Sequence, residues 1–96
     1  MTKTVIITGG NKGIGLSITK KFIQNNFNVF VGARSYNLDL KKLGSKVTFV
    51  KIDAQKEIDH ERLAKKAINS SGNIDVYINN VGLSKWLPIH RINKKN

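Results

Sequence analysis

The stretch Thr8-Gly9-Gly10-Asn11-Lys12-Gly13-Ile14-Gly15 decides the fold. Before it, Lys3 to Thr8 carries the apolar run Val5-Ile6-Ile7, the pattern of a strand buried on both faces. After it, Ile14, Ile18 and Phe22 recur at helical spacing, with Asn25 and Asn26 as left-handed stops. Glycine at 9 permits a sharp turn, glycine at 13 lets a pyrophosphate reach the backbone without meeting a Cβ, and glycine at 15 lets the helix pack close to a sheet. The free amides at that helix end then face an anion. The plainer alternative is a turn that only joins two elements. The preceding strand, the glycines and the following helix agree with one another, which favours the anion site.

Outward from this turn the same alternation continues. Asn28 to Ala33 reads as a second, β-branched strand, and Leu38 to Leu43 as one short helix broken by Gly44. Val47 to Ile52 is the third strand. Ile58, Leu63, Ala64, Ala67 and Ile68 form a helical stripe ended near Gly72, and Ile74 to Ile78 is the fourth strand. Strands alternating with helices through short turns imply right-handed β-α-β crossovers, hence an α/β fold with a parallel sheet of about four strands and three helices. Beyond Gly82 the pattern dissolves: Pro88 restrains the backbone and the closing Asn-Lys-Lys-Asn has no apolar period. Residues 1–82 are therefore expected to form the folded unit, and 83–96 an irregular tail.

Composition bounds the remaining choices. Ninety-six residues allow one folding unit, and 40% hydrophobic with 24% charged residues describes a soluble globular chain. No apolar run approaches the roughly 20 residues that span a bilayer, and no basic leader with a cleavage site precedes the first strand, so no membrane association is expected. There is no cysteine, which removes disulfides, thiolate metal sites and thiol nucleophiles and suits a cytoplasmic, reducing compartment. No metal site is expected. The net charge of +11 raises the question of nucleic acid. Its lysines, however, are scattered in twos and singles from Lys3 to Lys95, as on a solvated surface, and a phosphate-bearing small ligand would be attracted equally well.

Thr8-Gly9, Gly13-Ile14-Gly15 and, after the fourth strand, Asn79-Asn80-Val81-Gly82 are the residues that make the chain recognisable. The first set resembles the Thr-Gly-x-x-x-Gly-Ile-Gly cofactor signature of the short-chain dehydrogenase/reductase family. The second is similar to that family's Asn-Asn-Ala-Gly signature, with Val81 in place of alanine. The resemblance runs from Thr4 to about Ile92, over the first half of the family's usual length. It implies a Rossmann-type sheet, incomplete here, of family strand order 3-2-1-4-5-6-7. It also implies a bound nicotinamide dinucleotide and full-length relatives that are homo-oligomers.

The residues at the second strand's end bear on which dinucleotide. An acidic side chain about 20 positions past the glycines would hold both ribose hydroxyls, whereas a basic one accommodates a 2′-phosphate. Here the strand ends Gly32-Ala33-Arg34-Ser35, and Lys12 stands just before the second glycine. Arg34 offers a planar fork for phosphate oxygens and Lys12 a point charge, so NADP is expected in preference to NAD. Asp53, followed by Ala54, resembles the family aspartate that accepts a hydrogen bond from the adenine amino group; equally, it reads as an N-cap for the following helix. By the same resemblance the backbone around Asn80, Val81 and Gly82 contacts the adenosine ribose, while Asn79 ties neighbouring strands together. Asn11 completes the expected binding set in the phosphate turn.

The family's catalytic groups, a serine and a Tyr-x-x-x-Lys pair, have no counterpart here. Tyr36 is followed four positions later by Leu40, and Tyr77 by Val81. Tyr77, inside a strand, reads as a buried aromatic and His60 as a solvated residue on a charged helix face. His90 stands alone in the tail, and Trp86, Leu87, Ile89 and Ile92 read as loose apolar residues. The expectation is a truncated NADP(H)-binding part of a short-chain oxidoreductase, with hydride transfer between carbonyl and alcohol in full-length relatives, inactive alone. Ending there would leave the fourth strand as an open apolar edge, so the isolated chain is expected to be marginally stable or prone to aggregate. The alternative is a non-catalytic basic module that pairs with another chain or with nucleic acid.

Overall fold

The structure, a computed structural model, describes residues 2–80. The expected tail at 83–96 lies outside them, as do Val81 and Gly82. The elements are β1 (Thr4–Thr8), α1 (Gly13–Gln24), β2 (Asn28–Ala33), α2 (Leu38–Lys41), β3 (Val47–Lys51), α3 (Glu57–Ser71) and β4 (Val76–Asn79). All strand pairs are parallel, in the order β3-β2-β1-β4. Four parallel strands with three helices are the Rossmann-type α/β architecture expected from the alternation.

Successive side chains of a strand point to opposite faces, and β1 uses both. Ile6 joins Phe30, Val50, Ile52, Leu63 and Ala67 in a layer beneath α3, whereas Val5 and Ile7 join Val29, Val31 and Leu40 in a layer that Leu16, Ile18 and Phe22 of α1 cover. The apolar runs without alternation thus mark strands wrapped by helices on both sides. Phe22 and Phe27 meet edge to face, with ring centroids 4.8 Å apart, where α1 hands over to β2. Asn26 (φ 64°) makes that left-handed turn, and Gly44 and Gly72 make the others anticipated.

Several expectations shift at the ends of elements. Ile14, placed on the apolar face of α1, is 76% exposed, because the first turn of α1 projects past the sheet and Gly15 rather than Ile14 faces it. Ile58 and Ile68 are likewise exposed, and Leu63 and Ala67 alone of the α3 stripe are fully buried. The fourth strand begins at Val76 instead of Ile74, since Asp75 is spent on capping β1: its Oδ2 accepts from the Thr4 amide at 2.8 Å, and its own amide donates to the Thr4 carbonyl. The short helix stops at Lys41, with Lys42 as its C-cap. β4 pairs with β1, and among the described residues no strand flanks its other side.

Candidate dinucleotide site

The C-terminal ends of parallel strands, where the sheet order reverses between β1 and its neighbours, are where such folds bind ligands. A cleft of about 500 Å³ opens there. Of the expected site residues, Gly9, Asn11 and Lys12 from the first turn line it, with Arg34 after β2, Asp53 and Ala54 after β3, and Asn80 after β4. Residues that are far apart in sequence are thereby gathered on one opening. Gly13, Ile14 and Gly15 form the first turn of α1 immediately after Lys12, and Val81 and Gly82 lie outside the described residues.

The glycine turn is shaped by its backbone. Gly9 (φ 69°) and Gly13 (φ 58°) adopt the left-handed region that side chains disfavour, and a Cβ on Gly13 would meet nothing within 4 Å. That is an open cradle at a helix N-terminus, the geometry an anionic group needs. Gly15 is closed in the opposite sense, since a Cβ there would overlap the Gly9 carbonyl and crowd the Asn80 side chain. Two contributors escaped the sequence reading. Gly10 has no room for a Cβ beside Thr19 Oγ1, Ile7 and Val31, and the buried Thr19 hydroxyl lies 3.0 Å from the carbonyls of both Gly10 and Gly15, sharing its one proton between them. A threonine four residues after a motif glycine was the available signal.

Side chains then stitch the turn to its surroundings. Asn11 is buried and its amide donates to the Ser35 carbonyl at 3.1 Å, while Asn37 donates back to the Asn11 carbonyl at 2.7 Å. Asn11 therefore shapes the cleft by fixing the β2–α2 connection. Asn80 donates to the Gly9 carbonyl, and its own amide donates to Thr8 Oγ1. Asn79 accepts from that Thr8 hydroxyl at 2.8 Å, which gives Asn79 the strand-tying role expected of it.

The charges on the cleft are mobile at one end and fixed at the other. Arg34 approaches Asp53 at 3.7 Å with its side chain 74% exposed, a solvent-screened pairing that a stronger anion could replace. Asp53 is held below the usual carboxylate range, first by the Gln55 amide that its Oδ1 accepts at 3.0 Å and then by Arg34. Its proposed alternative role as N-cap of α3 is corrected: the cap is Lys56, which offers no side-chain bond. Asp53 instead closes a short turn of its own ahead of the helix.

His60 and Tyr77 are also corrected. His60 is half-buried rather than solvated, with one ring nitrogen against the Ala54 carbonyl and the other against the Tyr77 hydroxyl. Tyr77 is 39% exposed rather than buried, because it points from β4 toward α3 at the side of the sheet that no described strand covers. Desolvation nevertheless pushes its hydroxyl up to about 12. Among the described residues no cluster of His, Asp or Glu could hold a metal ion, and no helix is long and apolar enough to cross a membrane.

Comparison with known proteins agrees with this geometry. The chain is 35% identical over 92 residues to the 3-oxoacyl-(acyl-carrier-protein) reductase of Chlamydia muridarum, covering 88% of this chain and 37% of that protein. A 3-oxoacyl-(acyl-carrier-protein) reductase of Brucella melitensis solved in complex with NAD superposes with a TM-score of 0.75 at 29% identity, over 85% of this chain and 34% of that one. ElxO with NADP bound superposes with a TM-score of 0.72 at 28% identity, over 98% of this chain and 43% of its own. The chain thus spans well under half the length of the relatives it matches. The sequence model described as short chain dehydrogenase matches residues 3–96, and the chain belongs to that family.

Proposed function

We propose that this chain binds NADP(H) by its adenosine half and forms the cofactor-binding part of an oxidoreductase that exchanges a carbonyl for an alcohol. The observation that carries the reading is the cleft itself, lined by Gly9, Lys12 and Arg34, with the left-handed, unobstructed Gly13 in the turn just after Lys12. Bound there, the nicotinamide would supply or receive hydride. Gly9 and Gly13 would admit the pyrophosphate, with Gly15 and Ile14 holding the turn against the sheet. Arg34, released from Asp53, would take a 2′-phosphate, and Lys12 would add a second positive charge. Asp53 and Ala54 would face the adenine, and Asn80, Val81 and Gly82 the adenosine ribose. Both an NAD complex and an NADP complex occur among the similar structures, so the preference for NADP rests on the basic side chains of this chain.

Neither tyrosine has a lysine four residues on, so residues 1–96 are assigned binding and no catalytic group. By themselves they are proposed to hold cofactor without turning it over. The substrate-binding and proton-transfer groups belong to the remainder of the family's length, and the proposed setting is the cytoplasm, which the cysteine-free composition suits. The test is titration of the chain with NADPH and NADH, repeated on Arg34→Ala. Loss of a charge-assisted phosphate contact should weaken NADPH roughly tenfold or more and leave NADH nearly unchanged. Equal affinities that Arg34→Ala does not alter would refute the NADP preference. Salt-sensitive binding of unrelated polyanions in place of either dinucleotide would favour the basic binding module.

A further inference from the structure

The connection from β3 to α3 forms one wall of the cleft, and it is secured in an unusual way. The helix lacks a capping side chain at Lys56; instead, two residues from its first turns reach back over the connection. Asp59 Oδ2 accepts from the Asp53 amide at 2.7 Å, and His60 Nε2 lies 2.7 Å from the Ala54 carbonyl. A carbonyl can only accept, so Nε2 donates there, and a neutral imidazole then keeps its lone pair on Nδ1. The Tyr77 hydroxyl lies 2.5 Å from Nδ1 and donates to it when the imidazole is neutral. A neutral imidazole therefore has both nitrogens satisfied, one by the loop and one by β4.

Tyr77 is fixed in turn, because β4 lies in register with β1, Tyr77 beside Ile6. The chain of contacts runs from the sheet through a phenol and an imidazole to the backbone of the Asp53–Gln55 loop. Ala54 and Gln55 line the cleft with Asp53, whereas His60 and Tyr77 do not. We propose that His60, braced by Tyr77, is a positioning residue that fixes this loop as the base-reading wall of the cleft, and so makes it selective for adenine over hypoxanthine.

The inference rests on the cofactor reading above and adds to it the residues that set nucleobase selectivity. An ionised Asp53 carboxylate accepts a hydrogen bond from an exocyclic amine but repels a carbonyl oxygen at the same place. That discrimination depends on where the carboxylate sits, and a loop free to withdraw loses it. His60 and Tyr77 act on the base only through Ala54, so their removal should alter selectivity while leaving the phosphate turn intact.

The experiment titrates the full chain, and His60→Phe, Tyr77→Phe, the double variant and His60→Gln, with NADPH and with its hypoxanthine analogue. Loss of one bond in the relay should weaken NADPH roughly three- to tenfold, with little change for the analogue, so the ratio of the two affinities falls by that factor. The two phenylalanine variants break the same relay, so the double variant should be no worse than either single. His60→Gln should retain most of the selectivity, since its amide can both donate to Ala54 and accept from Tyr77. Unchanged affinities, or equal losses for both dinucleotides, in variants with wild-type circular dichroism would overturn the proposal. Should His60→Phe fail to fold, Tyr77→Phe removes a single oxygen at a partly exposed position and decides the matter alone. A wild-type chain that binds neither dinucleotide would overturn the cofactor reading and this inference together, whereas binding without base selectivity would sink this inference only.

Discussion

Two strand-to-helix connections deliver residues to the same cleft, and they are held in place by different means. Between β1 and α1 the backbone itself fixes the path: Gly9 and Gly13 are left-handed, and Gly10 and Gly15 stand where a Cβ would collide. Between β3 and α3 the path is fixed by side chains contributed from the following helix, Asp59 and His60, with Tyr77 behind. The first arrangement tolerates almost no substitution at its glycines but needs no distant partner. The second can be altered residue by residue, and it makes one wall of the cleft depend on β4, at the opposite edge of the described sheet from β3.

The largest expected effect tests the backbone-held turn. Gly15→Ala forces a Cβ onto the Gly9 carbonyl, which cannot yield without moving the turn, and should cost about 3 kcal/mol or more, beyond ordinary overpacking. Urea unfolding followed by circular dichroism would measure it; a loss under about 1 kcal/mol would show that the turn relaxes and that the two connections differ less than their geometry suggests. Gly13→Ala should cost less, about 1–2 kcal/mol, because its Cβ enters open space and only the left-handed backbone resists it. Its effect on NADPH affinity should exceed its effect on stability, since the added carbon fills the cradle. A variant that binds normally would remove Gly13 from the proposed phosphate contact.

A smaller effect tests the side-chain-held loop through pH. Tyr77 titrates near 12 in the folded chain against its ordinary 10.0, so the unfolded state releases its proton first as pH rises. Stability should be unaffected by this group below about pH 10, and should fall progressively between 10 and 12. Tyr77→Phe should flatten that part of the stability–pH curve. An unchanged curve would mean that the Tyr77 hydroxyl is not shielded from water in the folded chain.

The two connections were also unequally legible. The glycine turn, the flanking strand and the helix could be read directly, because backbone-determined geometry leaves its signature in residue identity. The alternation with right-handed crossovers implied parallel pairing, whereas the strand order came only with the family resemblance. The β3–α3 loop could not be read this way. Asp53 suited a helix cap on local grounds, and only the fold showed the helix starting three residues later than such a cap requires. His60 and Tyr77 are 17 residues apart, and a polar residue on a helix with an aromatic in a strand gives no local sign that they meet.

The sequence by itself determined the strand–turn–helix alternation, the parallel α/β class and the glycine cradle, because these follow from short-range periodicity and from the one residue type whose backbone freedom they require. The tertiary structure alone decided that Arg34 lies beside Asp53, that Asn11 ties the first turn to the second connection, and that His60 spans from Ala54 to Tyr77. Each of those contacts joins segments that the sheet brings together, and the geometry of such a meeting is set by register and packing, which no single segment encodes.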